Sequence, residues 1–311
     1  MSEVGKQLED LCRDSKNEIL LVAPFIKVSA LTRLFGHLSS NISVKCVTRW
    51  HLEDILAGVS DIEIWSLFRE RQGSSLWLRS NLHAKYYRTD DRCLVGSANL
   101  TNAALGWSTH PNLELLISSP AIPSFEQDLF SECVLVDRDL YEQTFKTIEL
   151  LRDDCPEVPT TIELLNTQDS TWLPRLRNPE DLYIAYCGNG TKLSTVSREA
   201  ALIDLRSLLI PKGLQKQVFE VCVGTLLLQK PLIRQIDSFL EYPQRFGAVT
   251  EFMRRYASRR ESLPCNQAED FDADRSWQTL MRWLRYFLSD RYALSVPNHS
   301  EVFYRLKKDE S

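Results

Sequence analysis

The stretch LHAKYYRTDDRCLVGSANLTNAALGW, residues 82–107, holds two β-rich runs separated by a polar turn, a pattern typical of a β-hairpin. Side chains two apart on a strand share a face, so His83 points with Lys85, and Ser97 points with Asn99. If the turn sets the register so that both pairs face the same way, an imidazole, an ammonium, a hydroxyl and an amide converge. Such a set of polar groups suits the binding of phosphate.

Taken singly, these residues have ordinary structural interpretations. A histidine beside a strand is usually structural, a lone lysine is usually a solvated charge, and the sequence GSAN at 96–99 resembles many tight turns. Gly96 adds a further signal, because glycine removes a side chain where a ligand or another stretch of backbone must approach closely. The joint spacing of the residues, rather than any one of them, indicates a site.

That spacing resembles the HKD motif of the phospholipase D superfamily, which reads His-x-Lys, four residues, Asp, and then Gly-Ser-x-Asn. The matching residues are His83, Lys85, Asp90, Gly96, Ser97 and Asn99. The stretch between Asp90 and Gly96 is one residue shorter than is usual in the family, which leaves either Asp90 or Asp91 as the aspartate of the motif.

The resemblance implies a mechanism that uses no metal and no cofactor. In the superfamily a histidine attacks phosphorus to form a phosphohistidine, while a histidine of a second motif protonates the leaving oxygen and then activates water. Of the five histidines in this chain, only His83 is followed by lysine two residues later. The resemblance therefore predicts a homodimer in which His83 of each subunit enters one shared site, with Lys85 and Asn99 holding the non-bridging phosphate oxygens.

Further residues extend the candidate site. Asn112 and Glu114 resemble the glutamate-bearing strand that follows the motif in nuclease-like members, where Glu114 would orient His83 by accepting from its second ring nitrogen. A solvent-facing glutamate on an amphipathic strand is the alternative. Arg49 and Trp107 are candidate substrate-binding residues that flank the site and contact phosphate or bases.

The first half of the chain alternates β-rich runs with helical stretches, which predicts an α/β fold with a mixed sheet covered by helices on both faces. The predicted strands lie at 18–26, 42–50, 62–65, 76–87, 92–99 and 113–118. The predicted helices lie at 4–15, 28–38, 51–58, 100–105 and 122–130.

The character of the sequence changes near Cys155, where prolines and polar residues replace the strand-like runs. The predicted domains are a phospholipase D-like domain at 1–155 and a mainly α-helical domain at 156–311. The predicted helix at 246–260 carries several arginines, which either suit phosphate contacts or pair with the acidic run at 269–274. The helical domain equally suits a dimer interface or the docking of a partner protein.

The composition is that of an ordinary globular protein, with 43% hydrophobic and 25% charged residues. No apolar run reaches the roughly 18 residues that span a bilayer, and the polar, acidic start does not resemble an export signal, so we expect a cytoplasmic protein without a membrane partner. The eight cysteines include no C-x-x-C pair, which argues against structural zinc. The net charge of -5 gives no overall attraction to a polyanion, so nucleic-acid binding requires a local basic surface.

These observations predict a metal-independent phosphodiesterase. Single-motif members of the superfamily are usually nucleases, whereas lipid-hydrolysing members generally carry both motifs in one longer chain, so nucleic acid, DNA rather than RNA, is the expected substrate. The alternatives are a non-catalytic module that binds nucleic acid or protein on the same fold, and a phospholipase. A single motif joined to an unrelated helical domain also suggests a restriction-like nuclease of bacterial antiphage defence.

Overall fold

In a computed structural model of the chain, the described residues are 3–90, 92–154, 172–258, 271–297 and 301–306. The chain divides into two compact units, Met1–Asn166 and Thr167–Ser311, which we call unit 1 and unit 2. The domain boundary predicted between residues 155 and 156 lies outside the described residues, so its position stays a prediction.

Unit 1 contains a seven-stranded sheet. Its strands are β1 (Glu18–Val22), β2 (Ser43–Thr48), β3 (Ser75–Leu78), β4 (Tyr86–Thr89), β5 (Arg92–Gly96), β6 (Leu116–Ser119) and β7 (Val134–Leu135). They follow the order β6-β5-β4-β1-β2-β3-β7 across the sheet. Strands β1, β2 and β3 are parallel, and the other neighbouring pairs are antiparallel. The mixed sheet predicted from the sequence is confirmed.

Helices flank this sheet, which confirms the α/β class. They are α1 (Glu3–Arg13), α2 (Val28–Phe35), α3 (Leu52–Leu56), α4 (Ile64–Glu70), α5 (Pro123–Ser131) and α6 (Arg138–Asp154). The sequence EILLV of β1 explains the two layers, because the side chains from Ile19 to Val22 are all fully buried. Leu20 and Val22 pack in one cluster with Leu129 of α5. A strand that is apolar on both faces must be covered on both.

Three predicted elements of unit 1 differ in the structure. The strand predicted at 62–65 is wrong, because the run continues into α4, where Ile64 and Phe68 are buried at helical spacing. The helix predicted at 100–105 is wrong, since these residues form turns. The strand predicted at 76–87 divides into β3 and β4 with an irregular segment between them. That irregular segment carries the candidate histidine and lysine.

Unit 2 is mainly helical, as predicted. Its described helices are α7 (Asp181–Tyr186), α8 (Thr195–Leu208), α9 (Lys216–Leu228), α10 (Pro231–Phe239), α11 (Phe246–Ser258) and α12 (Ala273–Phe287). Three short strands, which the sequence did not predict, are β8 (Gln244–Arg245), β9 (Tyr292–Ser295) and β10 (Val302–Arg305). They form an antiparallel sheet in the order β8-β10-β9. Across the described ranges, no helix combines the length and apolarity needed to cross a lipid bilayer.

Gly96, at the end of β5, lies where β5 and β6 approach closely. A Cβ atom there would overlap the Leu115 carbonyl oxygen and lie 3.1 Å from the Leu116 Cα. We expect Gly96→Ala to lower the free energy of unfolding by roughly 1–3 kcal/mol, because backbone atoms must shift to admit the methyl group. Gly247→Ala is the matched control, since no described atom lies within 4 Å of a Cβ built there. Denaturant titration of both variants checks this, and an unchanged midpoint for Gly96→Ala would contradict the close approach.

Candidate active site

The candidate histidine and lysine lie at one end of the central strands of the unit 1 sheet. His83 and Lys85 belong to the extended segment that leads into β4, rather than to a strand as predicted. Strand β4 runs antiparallel to β1, with Tyr86 opposite Val22. The amino end of β4 therefore lies beside the carboxyl ends of the parallel strands β1, β2 and β3. Ligands commonly bind at the carboxyl ends of such strands in α/β proteins.

The register of the hairpin pairs Tyr86 with Val95. One step further, the Gly96 N–H donates to the Lys85 carbonyl at 3.3 Å. Strict alternation from this register would place the side chains of Lys85 and Ser97 on opposite faces of the sheet. The sequence analysis predicted that the His83–Lys85 pair and the Ser97–Asn99 pair converge if the register places both pairs on the same face. The strand register alone does not do so.

The Glu114 carboxylate, just before β6, interacts with both Ser97 and Lys85. One of its carboxylate oxygens accepts a short hydrogen bond from the Ser97 hydroxyl, and the other accepts from Asn112 Nδ2 at 3.2 Å. Its negative charge also acts on the Lys85 ammonium. Within the described residues no hydrogen bond joins Glu114 to His83, so the orienting role predicted for Glu114 stays a prediction.

The exposed imidazole of His83 lies in a positive field. The Lys85 ammonium lowers the pKa of His83 below its ordinary value, with smaller contributions from partial burial and from the Arg49 guanidinium. Burial and Arg49 lower the pKa of Lys85 as well, against the opposing charge of Glu114. Lys85 is held in place by donating from Nζ to the His83 carbonyl at 2.9 Å. These charges favour the neutral imidazole, which has the free ring nitrogen that a nucleophile or a general base requires.

Arg49 follows β2 and supports the segment that carries His83. Its side chain is only 4% exposed; Nε donates to Asp54 at 2.9 Å, and Nη1 donates to the Leu82 carbonyl at 3.3 Å. The guanidinium also packs on Phe25, 4.9 Å from the centroid of the ring. Arg49 thus supplies a fixed positive charge, and its predicted contact with substrate stays a prediction.

Asn99 lies in the turn after β5, and its side chain is half-buried. Its Oδ1 atom is buried and has no hydrogen-bond partner among the described residues. A buried polar atom without a partner costs roughly 1–3 kcal/mol, so such an atom calls for an explanation. The structure shows no contact of Asn99 with His83 or Lys85 within the described ranges, and its predicted catalytic role stays a prediction.

Asp90 occupies the tip of the hairpin, at the far end of β4 from the site. It adopts a left-handed φ of 40°, and its carboxylate accepts from the Lys16 N–H at 2.9 Å and from Asn17 Nδ2 at 3.0 Å. The bond from Lys16 is the main cause of a lowered Asp90 pKa. At about 3.3 Å per residue, the extended chain separates Asp90 from Lys85 by roughly 16 Å. The Asp90 carboxylate therefore attaches the tip of the hairpin to the segment before β1. Asp91 lies outside the described residues.

Trp107 lies in a different environment from the histidine and lysine. The Arg33 guanidinium lies 4.2 Å from the centroid of its ring, and a Cβ built on Gly5 of α1 would overlap its Nε1. The structure thus packs Trp107 against α1 and α2, and its predicted role in substrate binding stays a prediction.

Two polar residues near Arg49 were missed by the sequence reasoning. Asp54 forms the buried ion pair with Arg49, and His51 Nδ1 lies 3.6 Å from the same Asp54 carboxylate. The other ring nitrogen of His51 lies 2.7 Å from the Ser80 carbonyl oxygen. The turn from β2 into α3 brings these residues together, and no spacing in the sequence marks that turn as part of a site.

Comparison with known proteins finds partial structural likenesses. No protein-family model and no curated protein matches the chain. NucT from Helicobacter pylori matches with a TM-score of 0.35 and 14% identity over 42% of this chain and 89% of that one. The phosphatidylserine synthase of Haemophilus influenzae Rd KW20 matches with a TM-score of 0.39 and 13% identity over 77% of this chain and 68% of that one. TrmBL2, an archaeal chromatin protein described as showing a novel mode of DNA binding, matches with a TM-score of 0.30 and 16% identity over 43% of this chain and 50% of that one.

Each of these TM-scores is below 0.5, so the likenesses do not decide a function. The described structure has a mixed α/β sheet, and His83 and Lys85 lie at the carboxyl ends of its parallel strands. Any assignment of activity must come from the chemistry of those residues.

Removing the Lys85 ammonium should raise the pKa of His83. We expect Lys85→Gln to move the pKa of His83 upward, toward the ordinary histidine value of 6.5, because the protonated ring no longer faces a neighbouring cation. NMR titration of the imidazole protons measures this shift. Lys45→Gln is the control, because Lys45 pairs with Glu18 at 2.6 Å and does not contribute to the shift of His83. Equal titration curves for Lys85→Gln and the unsubstituted chain would contradict the electrostatic coupling.

Proposed function

We propose that this chain is a phosphodiesterase of the phospholipase D type that cleaves nucleic acid, with His83 as nucleophile at a site shared by two subunits. The observation that carries the proposal is the exposed imidazole of His83 beside Lys85, whose ammonium lowers the pKa of the imidazole, at the end of the parallel strands where ligands commonly bind. A neutral imidazole has a lone pair to attack phosphorus, and a fixed ammonium stabilises negative charge on the phosphoryl oxygens.

The reaction proceeds in two steps that need no oxidant or reductant. A ring nitrogen of the neutral His83 forms a bond to phosphorus while the bond from phosphorus to the leaving oxygen breaks. The partner subunit's His83 enters this step protonated, because the negative charge of the bound phosphodiester offsets the neighbouring ammonium, and it donates its proton to the leaving oxygen. The partner subunit's His83, now neutral, then takes a proton from water as the water oxygen attacks phosphorus and the phosphorus–nitrogen bond breaks. The products are a phosphomonoester and an alcohol, and both imidazoles return to their starting states.

The other candidate residues have supporting roles in this proposal. Lys85 and Asn99 contact the non-bridging oxygens, to which the ammonium of Lys85 and the two N–H groups of Asn99 Nδ2 can donate. Glu114 acts on the site by holding Ser97 and balancing part of the charge of Lys85. Gly96 admits the close backbone approach on which this arrangement depends.

A second copy of the chain is the proposed source of the second imidazole, because the sequence contains one His-x-Lys pair. An exposed apolar row lies directly beside the site on the edge strand β6 and the residues before it. Leu113 is fully exposed, and Leu115 and Ile117 are 62% and 53% exposed. We call these three residues the β6 stripe. An exposed apolar edge strand invites pairing with another chain, and a patch beside the site suits a two-fold contact that brings two sites together.

The chemistry of the β6 stripe favours a protein occupant over nucleic acid. In the stretch from Leu113 to Ser119 the only charged residue is Glu114, whose carboxylate turns to Ser97. An uncharged, apolar surface offers nothing to a phosphate backbone, whereas it can pack against the same surface of a second copy. Nucleic acid is the proposed substrate because the single-motif members that the chain resembles are usually nucleases.

Loss of the imidazole should abolish cleavage. We expect His83→Ala to reduce cleavage of plasmid and single-stranded DNA in EDTA to background, because the proposed phosphohistidine forms on that imidazole. His110→Ala is the matched control, since His110 is an exposed histidine of the same unit that lies outside the proposed site. Cleavage by His83→Ala would refute the nucleophile, and binding without cleavage by the unsubstituted chain would favour the non-catalytic module. The same assay with RNA and with phosphatidylcholine vesicles separates the substrate classes.

Charged side chains introduced into the β6 stripe should both separate the subunits and abolish cleavage. We expect the double variant Leu113→Glu, Ile117→Glu to be monomeric by light scattering and inactive, because like charges would face each other across the two-fold axis. Leu135→Glu is the control, because Leu135 is an exposed apolar residue on β7 at the opposite edge of the same sheet. A double variant that remains dimeric and active would show that the subunits meet elsewhere, and an active monomeric wild type would refute the shared site.

A further inference from the structure

The exposed face of α12 in unit 2 carries a row of long polar side chains. Arg275, Gln278 and Arg285 are exposed, and Arg282 is half-buried. Because successive residues of an α-helix turn by about 100°, these four side chains fall within roughly 80° of arc. They form one continuous surface, which we call the α12 face.

The opposite side of α12 is anchored in the core of unit 2. Trp277, Leu280 and Leu284 are fully buried. The Trp277 ring meets Phe303 of β10 edge-on, with 5.4 Å between the ring centroids. Trp283 is also buried, and its Nε1 donates to the Leu176 carbonyl at 2.7 Å. The helix is therefore a rigid support, and the α12 face cannot turn inward to neutralise its charge.

The three arginines of the α12 face differ from those of the neighbouring helix α11. Arg254 pairs with Asp274 at 2.8 Å, and Arg255 pairs with Glu251 at 2.9 Å. Within the described residues, both arginines of the basic helix singled out in the sequence are thus paired, one of them with the acidic run that was the alternative explanation for its charge. Among the described residues, no salt bridge engages the arginines of the α12 face, which are Arg275, Arg282 and Arg285.

The surroundings of α12 suit the binding of a duplex. Helix α11 packs against α12, and the antiparallel hairpin of β9 and β10 follows α12 in the chain. An α-helix fits the major groove of a duplex. Guanidiniums that make no salt bridge within the described residues would neutralise phosphates, and the Gln278 amide can pair with a base edge.

We infer that the α12 face is a binding surface for duplex DNA. A polyanion is the ligand that best satisfies three cations that make no salt bridge within the described residues, on a chain whose net charge is -5. The face has no large apolar side chain among its exposed residues, which disfavours insertion into a lipid surface. This inference does not rest on the proposed catalytic function, since a chain without nuclease activity would still bind through α12.

The test measures binding of the full-length chain to a labelled DNA duplex by fluorescence anisotropy at several salt concentrations. Both variants carry His83→Ala and are studied in EDTA, so that cleavage does not interfere. We expect the triple variant Arg275→Gln, Arg282→Gln, Arg285→Gln to bind about tenfold or more weakly, and its salt slope to fall by up to about 2.7 for three lost phosphate contacts. The matched control is Arg138→Gln, Arg152→Gln, Arg255→Gln, which removes the same charge from exposed arginines that pair with glutamates of their own helices.

Several outcomes would overturn the inference. Equal affinity and equal salt slope for the triple variant and the control would show that the α12 face does not meet the duplex. If the triple variant lost binding only to anionic vesicles, or only to RNA duplexes, the α12 face would be assigned to a different partner. Circular dichroism verifies that all variants are folded, and exposed arginines are tolerant sites for this purpose. Because cleavage is measured separately, failure of DNA binding and failure of the proposed nuclease activity are distinguishable.

Discussion

The candidate site depends on the backbone around Gly96, where β4, β5 and β6 meet. The Gly96 N–H donates to the Lys85 carbonyl on one side, and the next N–H, of Ser97, donates to the Leu115 carbonyl at 3.0 Å on the other. A side chain at Gly96 would overlap that carbonyl oxygen. The glycine therefore fixes both the segment that carries the histidine and lysine and the segment that carries Glu114. The pairing of the strands thus sets the distances between the backbone segments that carry these polar side chains.

Electrostatics distinguishes this edge of the sheet from an ordinary polar surface. Arg49, Lys85 and His83 lie close enough for the two cations to lower the pKa of the imidazole, and for Arg49 to lower the pKa of Lys85. Arg49 has its own buried counterion in Asp54, so the remaining excess of positive charge is centred on Lys85. Such an arrangement is unfavourable for the folded chain alone, because like charges raise each other's energy. A bound phosphate would relieve it, which is why perturbed groups of this kind point to function.

The parts of unit 1 that could be predicted from the sequence are those whose signal is local. The apolar runs of β1 and β2 and the hairpin of β4 and β5 lie where the pattern indicated. The short run at 62–65 could not be assigned correctly, because four residues do not distinguish a strand from the start of a helix. The environment of Glu114 was not predictable either, since its bond to Ser97 depends on the register between β5 and β6. Register is a property of paired strands, and a single strand's sequence does not contain it.

The same limit explains why the sequence left two explanations open for the arginines of α11 in unit 2. Arginines are conspicuous in the sequence of α11, but whether a charge is available depends on what lies beside it in the folded chain. Arg254 is neutralised by Asp274, twenty residues away in sequence. Within the described residues no salt bridge engages the arginines of α12, although the Asp272 carboxylate accepts from the Arg275 N–H at the start of the helix. This difference matters for the proposed action of an acidic protein on a polyanion. In a dimer each chain would bring one α12 face, and two linked weak contacts bind more tightly than either alone because the second forms at a high effective concentration. The proposed catalytic site would then need only the few charges that its chemistry uses.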